Sequence, residues 1–389
     1  MKIAIFTDTF PPQINGVSHF VWKSAAALAK NGHEVRVFIA TSSKDASKKL
    51  SGYSDNPSLI FLPSLPFFGY PGERLTIPMG FGIKEIAKFK PDVIHLHTPF
   101  GVGIEAVLAG KIFGIPIVGT HHTFFDHYLK YVYLDFEKIK KLTWHSTMAF
   151  YNRCNLILSP SKSLLEALKI GKLKSLAQIV PNFIDTEFFI PAGSEDEKKK
   201  LKEDLGIKGK LLVYMGRVSY EKSIDQVIRA LAIATKKIHG LKLMIVGDGP
   251  YKENLKELSK KIGVEDKVIF YGFARGKELL KILQAGDIFI TASKSENMPL
   301  SVMEAMSAGL PVIGVDSLGI PEIVKNNKNG FIVTPDVFED IAKKIIELCD
   351  DEKLRHEFAL ASRELALEFS EEKIVKLLEE AYKKVIKNK

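Results

Sequence analysis

Short apolar, β-branched runs alternate with helix-compatible stretches along nearly all of this chain, and that order leaves few alternatives to parallel sheets covered by helices on both faces. Strands are expected at residues 2–7, 34–40, 58–62, 93–97, 116–120, 156–159 and 177–180. An amphipathic helix over 17–30 presents Val17, Phe20, Val21 and Leu28, and Asn31-Gly32 ends it. The alternation pauses at Pro181-Asn182-Phe183-Ile184-Asp185 and Pro191-Ala192-Gly193, passes through a charged helical run at 194–204, and restarts with strands at 210–215, 241–246, 267–271, 287–291 and 311–315. At 389 residues the chain exceeds one ordinary α/β core. The pause therefore divides it into two Rossmann-like domains, 1–187 and 188–370, which face each other across an interdomain cleft. Residues 371–389 carry Ile374, Leu377, Leu378, Ala381 and Val385 at helical spacing, an amphipathic helix expected to pack back on the first domain.

Composition narrows the class. With 46% apolar and 26% charged residues and no low-complexity tract, the chain reads as globular. No run approaches the roughly 20 apolar residues that span a bilayer, and the start leads directly into a strand without a basic, then apolar, leader. Cys154 and Cys349, far apart, fit ordinary thiols in a reducing cytoplasm. The net charge of +9 is concentrated in residues 1–190, where 21 Lys+Arg face 14 Asp+Glu. A basic half of this kind suits an anionic partner, or serves only solubility. No pattern of an RNA- or DNA-binding module accompanies it, so a nucleic-acid partner is not expected.

The chemistry-bearing residues cluster at strand ends. Glu296 falls in a loop after an apolar strand, Pro299 opens the following helix, and Glu304 lies about 1.5 turns into it. The first-turn N–H groups of Leu300 and Ser301 would face a bound anion; alternatively Glu304 is a solvated acid near a helix start. Arg217 and Lys222 follow the first strand of the second domain, where two cations suit a diphosphate leaving group, unless they pair with Glu221 or Asp225. In the first domain, the loop Phe10-Pro11-Pro12-Gln13-Ile14-Asn15-Gly16-Val17 brings backbone N–H groups toward a phosphate without a Cβ at Gly16, but it is not GxGxxG. Thr120-His121-His122-Thr123 ends another strand, where a neutral imidazole could hydrogen-bond a sugar hydroxyl or act as acid or base. His95 and His97 share one strand face, and with His121 and His122 could build a zinc site, but the chain lacks HExxH or a cysteine cluster and no metal is expected.

Taken together, the Asn15-Gly16-Val17 loop, the Thr-His-His-Thr strand end, Pro181 to Asp185, Gly216-Arg217 with Lys222, and the Glu296/Glu304 pair resemble the retaining, nucleotide-sugar-dependent glycosyltransferases of family 4 over essentially the whole chain. The resemblance implies the GT-B fold, two facing Rossmann-like domains, and a hexosyltransferase. It implies that Arg217 and Lys222 hold the donor diphosphate with help from the Leu300 and Ser301 N–H groups and the Gly16 loop. Glu296, in the donor-binding run continued by Asn297, Met298 and Pro299, would contact the 3- and 4-hydroxyls of the sugar. Glu304 would hold the ribose, His122 the sugar 6-hydroxyl, and Asn182 a weaker contact. The β-phosphate would take the acceptor proton, with no cofactor and no essential metal.

Within the family, Thr120 to Tyr128 and Phe6 to Phe10 look most like bacterial enzymes that glucosylate diacylglycerol. UDP-glucose or another nucleotide sugar is the expected donor and 1,2-diacylglycerol the acceptor, with Asp126 and Tyr128 at the acceptor site. The apolar, proline-broken segment 61–70, with Phe67 and Phe68, and the basic, aromatic segment 130–141 suit contact with lipid and an anionic leaflet, though both could face the core. The expected location is peripheral, on the cytoplasmic face of the membrane. A soluble acceptor (a sugar, inositol phosphate or polysaccharide) and nucleotide-sugar epimerisation are the competing activities.

Overall fold

The computed structural model describes residues 1–13, 15–41, 57–66, 74–122 and 136–388. By internal packing they form two units, Met1–Asn182 with Glu371–Lys389, and Phe183–Ser370. Phe183 and Ile184 are buried, and the Ile184 N–H donates to the carbonyl of Phe369, so the turn after Asn182 packs with the second unit.

The first unit begins β1 (Lys2–Thr7), α1 (Gly16–Lys30), β2 (Glu34–Thr41), β3 (Ser58–Pro66) and β4 (Arg74–Thr76). It continues through α2 (Phe81–Phe89), β5 (Val93–Leu96), α3 (Gly101–Phe113), β6 (Ile117–Thr120), α4 (Glu137–Tyr151), β7 (Leu156–Ser159), α5 (Lys162–Ile170) and β8 (Leu176–Ile179). Among the described residues the sheet order is β4-β3-β2-β1-β5-β6-β7-β8, parallel except for β4. The central strands β1, β5, β6 and β7 are buried along almost their whole length, which explains their unbroken apolar character. β3 runs four residues past its expected end because Ser64–Pro66 finds an antiparallel partner in Arg74–Thr76. Arg74 secures that edge by donating from Nε to Ser64 Oγ at 2.9 Å.

The second unit holds α6 (Glu195–Asp204), β9 (Leu211–Met215), α7 (Ile224–Ala234), β10 (Lys242–Val246), α8 (Lys252–Lys261), β11 (Val268–Gly272), α9 (Gly276–Ala285) and β12 (Ile288–Ile290). α10 (Leu300–Ser307), β13 (Val312–Val315), α11 (Ile320–Ile323), β14 (Gly330–Val333), α12 (Phe338–Asp350) and α13 (Glu352–Ala366) follow. Its order, β11-β10-β9-β12-β13-β14, is that of a dinucleotide-binding Rossmann sheet, 3-2-1-4-5-6 in order of appearance. Two apolar clusters cover its faces, one around Leu231, Ile245 and Ile345, the other around Val213, Phe289 and Met303. β14 is absent from the sequence-based expectations because its four residues are preceded by the polar run Lys325-Asn326-Asn327-Lys328-Asn329.

The last helix, α14 (Glu371–Lys387), belongs to the first unit. Ile374, Val375, Leu378, Ala381, Tyr382 and Val385 form its buried face. Two polar ties fix its register: the Tyr382 hydroxyl lies 2.7 Å from His95 Nδ1, and Glu379 accepts from Asn31 Nδ2 at 2.9 Å.

Candidate active site

In each unit the strand order reverses between two neighbours, β1 and β5 in the first and β9 and β12 in the second. Loops leaving such a pair diverge to opposite faces of the sheet, and ligands of open α/β sheets settle in the resulting crevice. In the second unit these loops are residues 216–223 and 291–299, which carry Arg217, Lys222 and Glu296.

Lys222 Nζ and Glu296 Oε1 meet at 2.5 Å across this switch point, with side chains only 19% and 21% exposed. The acids nearest to Lys222 in sequence have other contacts: Ser219 Oγ donates to Glu221 at 2.6 Å, and Asp225 lies 4.0 Å from Arg229. Lys222 ends a short 3-10 turn (Tyr220–Lys222), and Ser223 then adopts a left-handed φ of +50° before α7 begins. A non-glycine residue in that region is strained, and here it separates the turn from the helix and aims Lys222 at the β12 loop. Arg217 is exposed on the same loop. Its carbonyl accepts a 3.1 Å hydrogen bond from the buried hydroxyl of Tyr214, whose pKa burial and the carboxylates of Glu296 and Glu221 hold well above the ordinary phenol value.

The Glu296 loop is held by a close approach that only glycine permits. The Gly319 N–H donates to the Glu296 carbonyl at 2.9 Å, and a Cβ on Gly319 would sit 1.6 Å from the carbonyl oxygen of Asn297. Gly319 follows β13 and escaped the sequence analysis. Its signal was the turn Ser317-Leu318-Gly319-Ile320-Pro321, in which Leu318 also has a positive φ. Pro299 stands as the N-cap of α10, not its first helical residue, because its ψ of 116° is extended. It makes no side-chain capping hydrogen bond, so the first-turn amides of Leu300 and Ser301 have no helical acceptor and carry the positive end of the helix dipole. Met298 is buried in the core beneath, and Asn297 is half-buried.

Glu304, one and a half turns along α10, is half-buried, and loss of water around it raises its carboxyl to about 8. The folded protein thus keeps a proton that the unfolded chain releases in the ordinary carboxylate range. The associated stability is present at low pH and is lost as pH rises toward 8. The thermal midpoint of the ligand-free protein is expected to fall between about pH 5 and pH 8 more steeply than that of Glu304→Gln, which cannot ionise. Parallel slopes in a melting series would show that Glu304 ionises normally.

In the first unit the loops at the switch point are residues 8–15 and 97–100. Asp8, which lies in the Phe6 to Phe10 segment but was assigned no role from the sequence, joins them: its carboxylate accepts from Thr98 Oγ1 at 2.5 Å and from the Val102 N–H at 3.3 Å. Asn15 caps α1, accepting from the Ser18 N–H at 2.8 Å and donating to Thr9 Oγ1 at 2.8 Å. Gly16 is therefore the exposed first residue of α1. At the end of β6, His122 is 9% exposed and its Nε2 lies 2.9 Å from His97 Nδ1. Burial pushes His122 down to about 3, so it is a neutral imidazole across the physiological range. His121 and His95 are pushed down to about 3 as well, chiefly by burial and then by His122. Among the described residues no group of three His, Cys, Asp or Glu side chains is placed to hold a metal ion. Asp126, Tyr128, Phe67 and Phe68 lie outside the described residues, and Asn182 is half-buried at the end of the first unit.

Residues 14–188 match the family model described as Glycosyltransferase Family 4, and residues 194–365 match that described as Glycosyl transferases group 1. Over 383 residues, 92% of this chain and 86% of the relative, the sequence is 30% identical to the alpha-monoglucosyldiacylglycerol synthase of Streptococcus pneumoniae. The chain belongs to glycosyltransferase family 4. This glycosyltransferase is also 28% identical to the Acholeplasma laidlawii protein of the same name, over 90% of this chain and 88% of that one. Its fold is similar to that of Anabaena Alr3699/HepE, crystallised in complex with UDP, at a TM-score of 0.81 and 19% identity, covering 99% of this chain and 100% of that one. Among the described residues, no helix of the glycosyltransferase is long and apolar enough to cross a membrane.

Proposed function

We propose that this glycosyltransferase moves glucose, with retention of configuration, from UDP-glucose to 1,2-diacylglycerol at a membrane surface, forming an α-glucosyl diacylglycerol. The observation that carries the donor half is the Lys222–Glu296 pair at the switch point of the second unit, beside the open N-terminus of α10. A cation and two helix amides suit a diphosphate, and a carboxylate suits sugar hydroxyls.

In this reading Lys222 and Arg217 bind the diphosphate, with the Leu300 and Ser301 N–H groups and the Gly16 loop assisting. As the bond from the anomeric carbon to the β-phosphate oxygen breaks, negative charge accumulates on the phosphate, where these fixed cations and dipoles stabilise it. Glu296 accepts hydrogen bonds from the 3- and 4-hydroxyls, and Glu304 holds the ribose. His122 donates to the 6-hydroxyl oxygen; a neutral imidazole does so without placing positive charge beside an oxocarbenium-like centre. The acceptor hydroxyl attacks from the face that the leaving group vacates and gives its proton to a β-phosphate oxygen. The protein's own cations take the place of a metal ion, so turnover should survive EDTA.

The lipid half is supported by the naming of the two synthase relatives and by the surface of the first unit. Ile104, Leu108 and Ile112 recur every fourth residue on α3, all exposed, and Ile77, Met79, Phe81 and Phe100 extend the apolar area. Exposed Lys84, Lys88 and Lys111 lie on α2 and α3. An apolar stripe edged by lysines suits an anionic leaflet. The test incubates the protein with radiolabelled UDP-glucose and either liposomes containing diacylglycerol and phosphatidylglycerol or soluble sugar acceptors, with and without EDTA. Label is expected in the organic phase; label confined to aqueous products would refute the lipid acceptor, and release of a new sugar nucleotide without acceptor would mark an epimerase.

A further inference from the structure

His122 is not oriented by its own strand alone. His97, from the end of β5, is 1% exposed, and its ring lies nearly parallel to that of His122, at 23° with centroids 5.2 Å apart. Its Nδ1 is 2.9 Å from His122 Nε2. The His97 ring also meets that of His95 at 4.0 Å between centroids, and Phe20 closes edge-on against both His97 and His122. His95 is itself tethered at both nitrogens, to Tyr382 and Thr120, which leaves His97 little room to turn.

Burial pushes His97 well below its ordinary value, with lesser contributions from His95 and His122, and both partners in the contact are neutral. A bond between two neutral imidazoles has one donor and one acceptor, so two arrangements exist. If His122 donated from Nε2, the proton of His97 would sit on Nε2, which is buried and has no hydrogen-bond partner among the described residues. An orphaned buried N–H is the rarer and costlier defect, whereas a bare nitrogen loses only an acceptor contact. We infer that His97 is a positioning residue which donates from Nδ1–H to His122 Nε2, fixing His122 as the Nδ1–H tautomer. The nitrogen of His122 not bound to His97 is then a donor at all physiological pH values. It can give a hydrogen bond to a sugar oxygen but cannot accept a proton from an attacking hydroxyl, which assigns His122 to binding and leaves proton removal to the donor phosphate.

The claim about activity rests on the sugar-nucleotide reading above; the claim about the tautomer does not. Two-dimensional 15N–1H NMR of the full chain labelled at histidine, with His122 assigned by the signals lost in His122→Asn, should show His122 neutral and protonated at Nδ1. Protonation at Nε2 in the parent protein would overturn the inference outright. His97→Asn retains an N–H where Nδ1 stood and should keep the tautomer. His97→Leu should release His122 to the Nε2–H form and lower kcat by about tenfold, the worth of one hydrogen bond in the transition state. With a donor sugar lacking the 6-hydroxyl, the Leu and Asn variants should turn over equally. A His97→Leu protein that keeps both its melting temperature and the Nδ1–H form of His122 would overturn the inference, as would His97→Asn behaving like His97→Leu. Absence of any sugar-nucleotide turnover in the parent, with the Nδ1–H signal in place, would instead refute the proposed function alone.

Discussion

Lys222→Ala is expected to lower kcat/KM for the nucleotide sugar by about 10²-fold or more, since removing one preorganised group that meets developing charge in a shielded site typically costs that much. The effect should divide between binding and chemistry. In the proposed role Lys222 meets the diphosphate in the ground state, so affinity for UDP alone should weaken. The phosphate gains charge as the glycosidic bond breaks, so kcat should fall as well. Folding should suffer as well: the pair with Glu296 is only about one-fifth exposed, and removing the lysine leaves a largely buried carboxylate without its cation. Isothermal titration with UDP, steady-state kinetics and a thermal melt separate the three quantities. Turnover within about threefold of the parent would remove Lys222 from the diphosphate site.

Much of this arrangement was legible in the sequence because it is local. β1, β5, β6 and β7 read as strands since residues buried on both faces leave an unbroken apolar run, and Arg217 and Glu296 read as site residues since they follow such runs. What was not legible is long-range. Lys222 and Glu296 are 74 residues apart, and nothing in the local pattern prefers Glu296 over the adjacent Glu221. The strand edge at β4 is three residues long and antiparallel, below the length at which alternation carries information. His95 and His97 were visible as a pair on one strand face. That His97 turns to His122 and His95 to Tyr382 follows only from the order of β5 beside β6 and from the return of α14 to the first unit. Glu304 read equally well as a solvated acid, and only the closeness of its packing raises its carboxyl to about 8.

The companion substitution, Glu296→Gln, should also cost about 10²-fold in kcat/KM, but by a different route. Glutamine fills the same volume and keeps one acceptor, yet it loses the charge that, in the proposed role, strengthens hydrogen bonds from two sugar hydroxyls, each worth about 1.5–3 kcal/mol when the acceptor is ionised. UDP carries no hexose, so its affinity has no reason to fall. Before the donor binds, Glu296 occupies Lys222 at 2.5 Å, and an incoming diphosphate must compete with that carboxylate for the cation. Removing the negative charge ends the competition and removes a like charge beside the phosphates. UDP should therefore bind Glu296→Gln at least as tightly as the parent, while the intact nucleotide sugar loses both affinity and turnover. The two variants thus move UDP affinity in opposite directions while lowering kcat/KM together. Equal weakening of UDP and UDP-sugar in Glu296→Gln would mean that Glu296 acts through the shape of the loop held by Gly319, with no contact to the sugar.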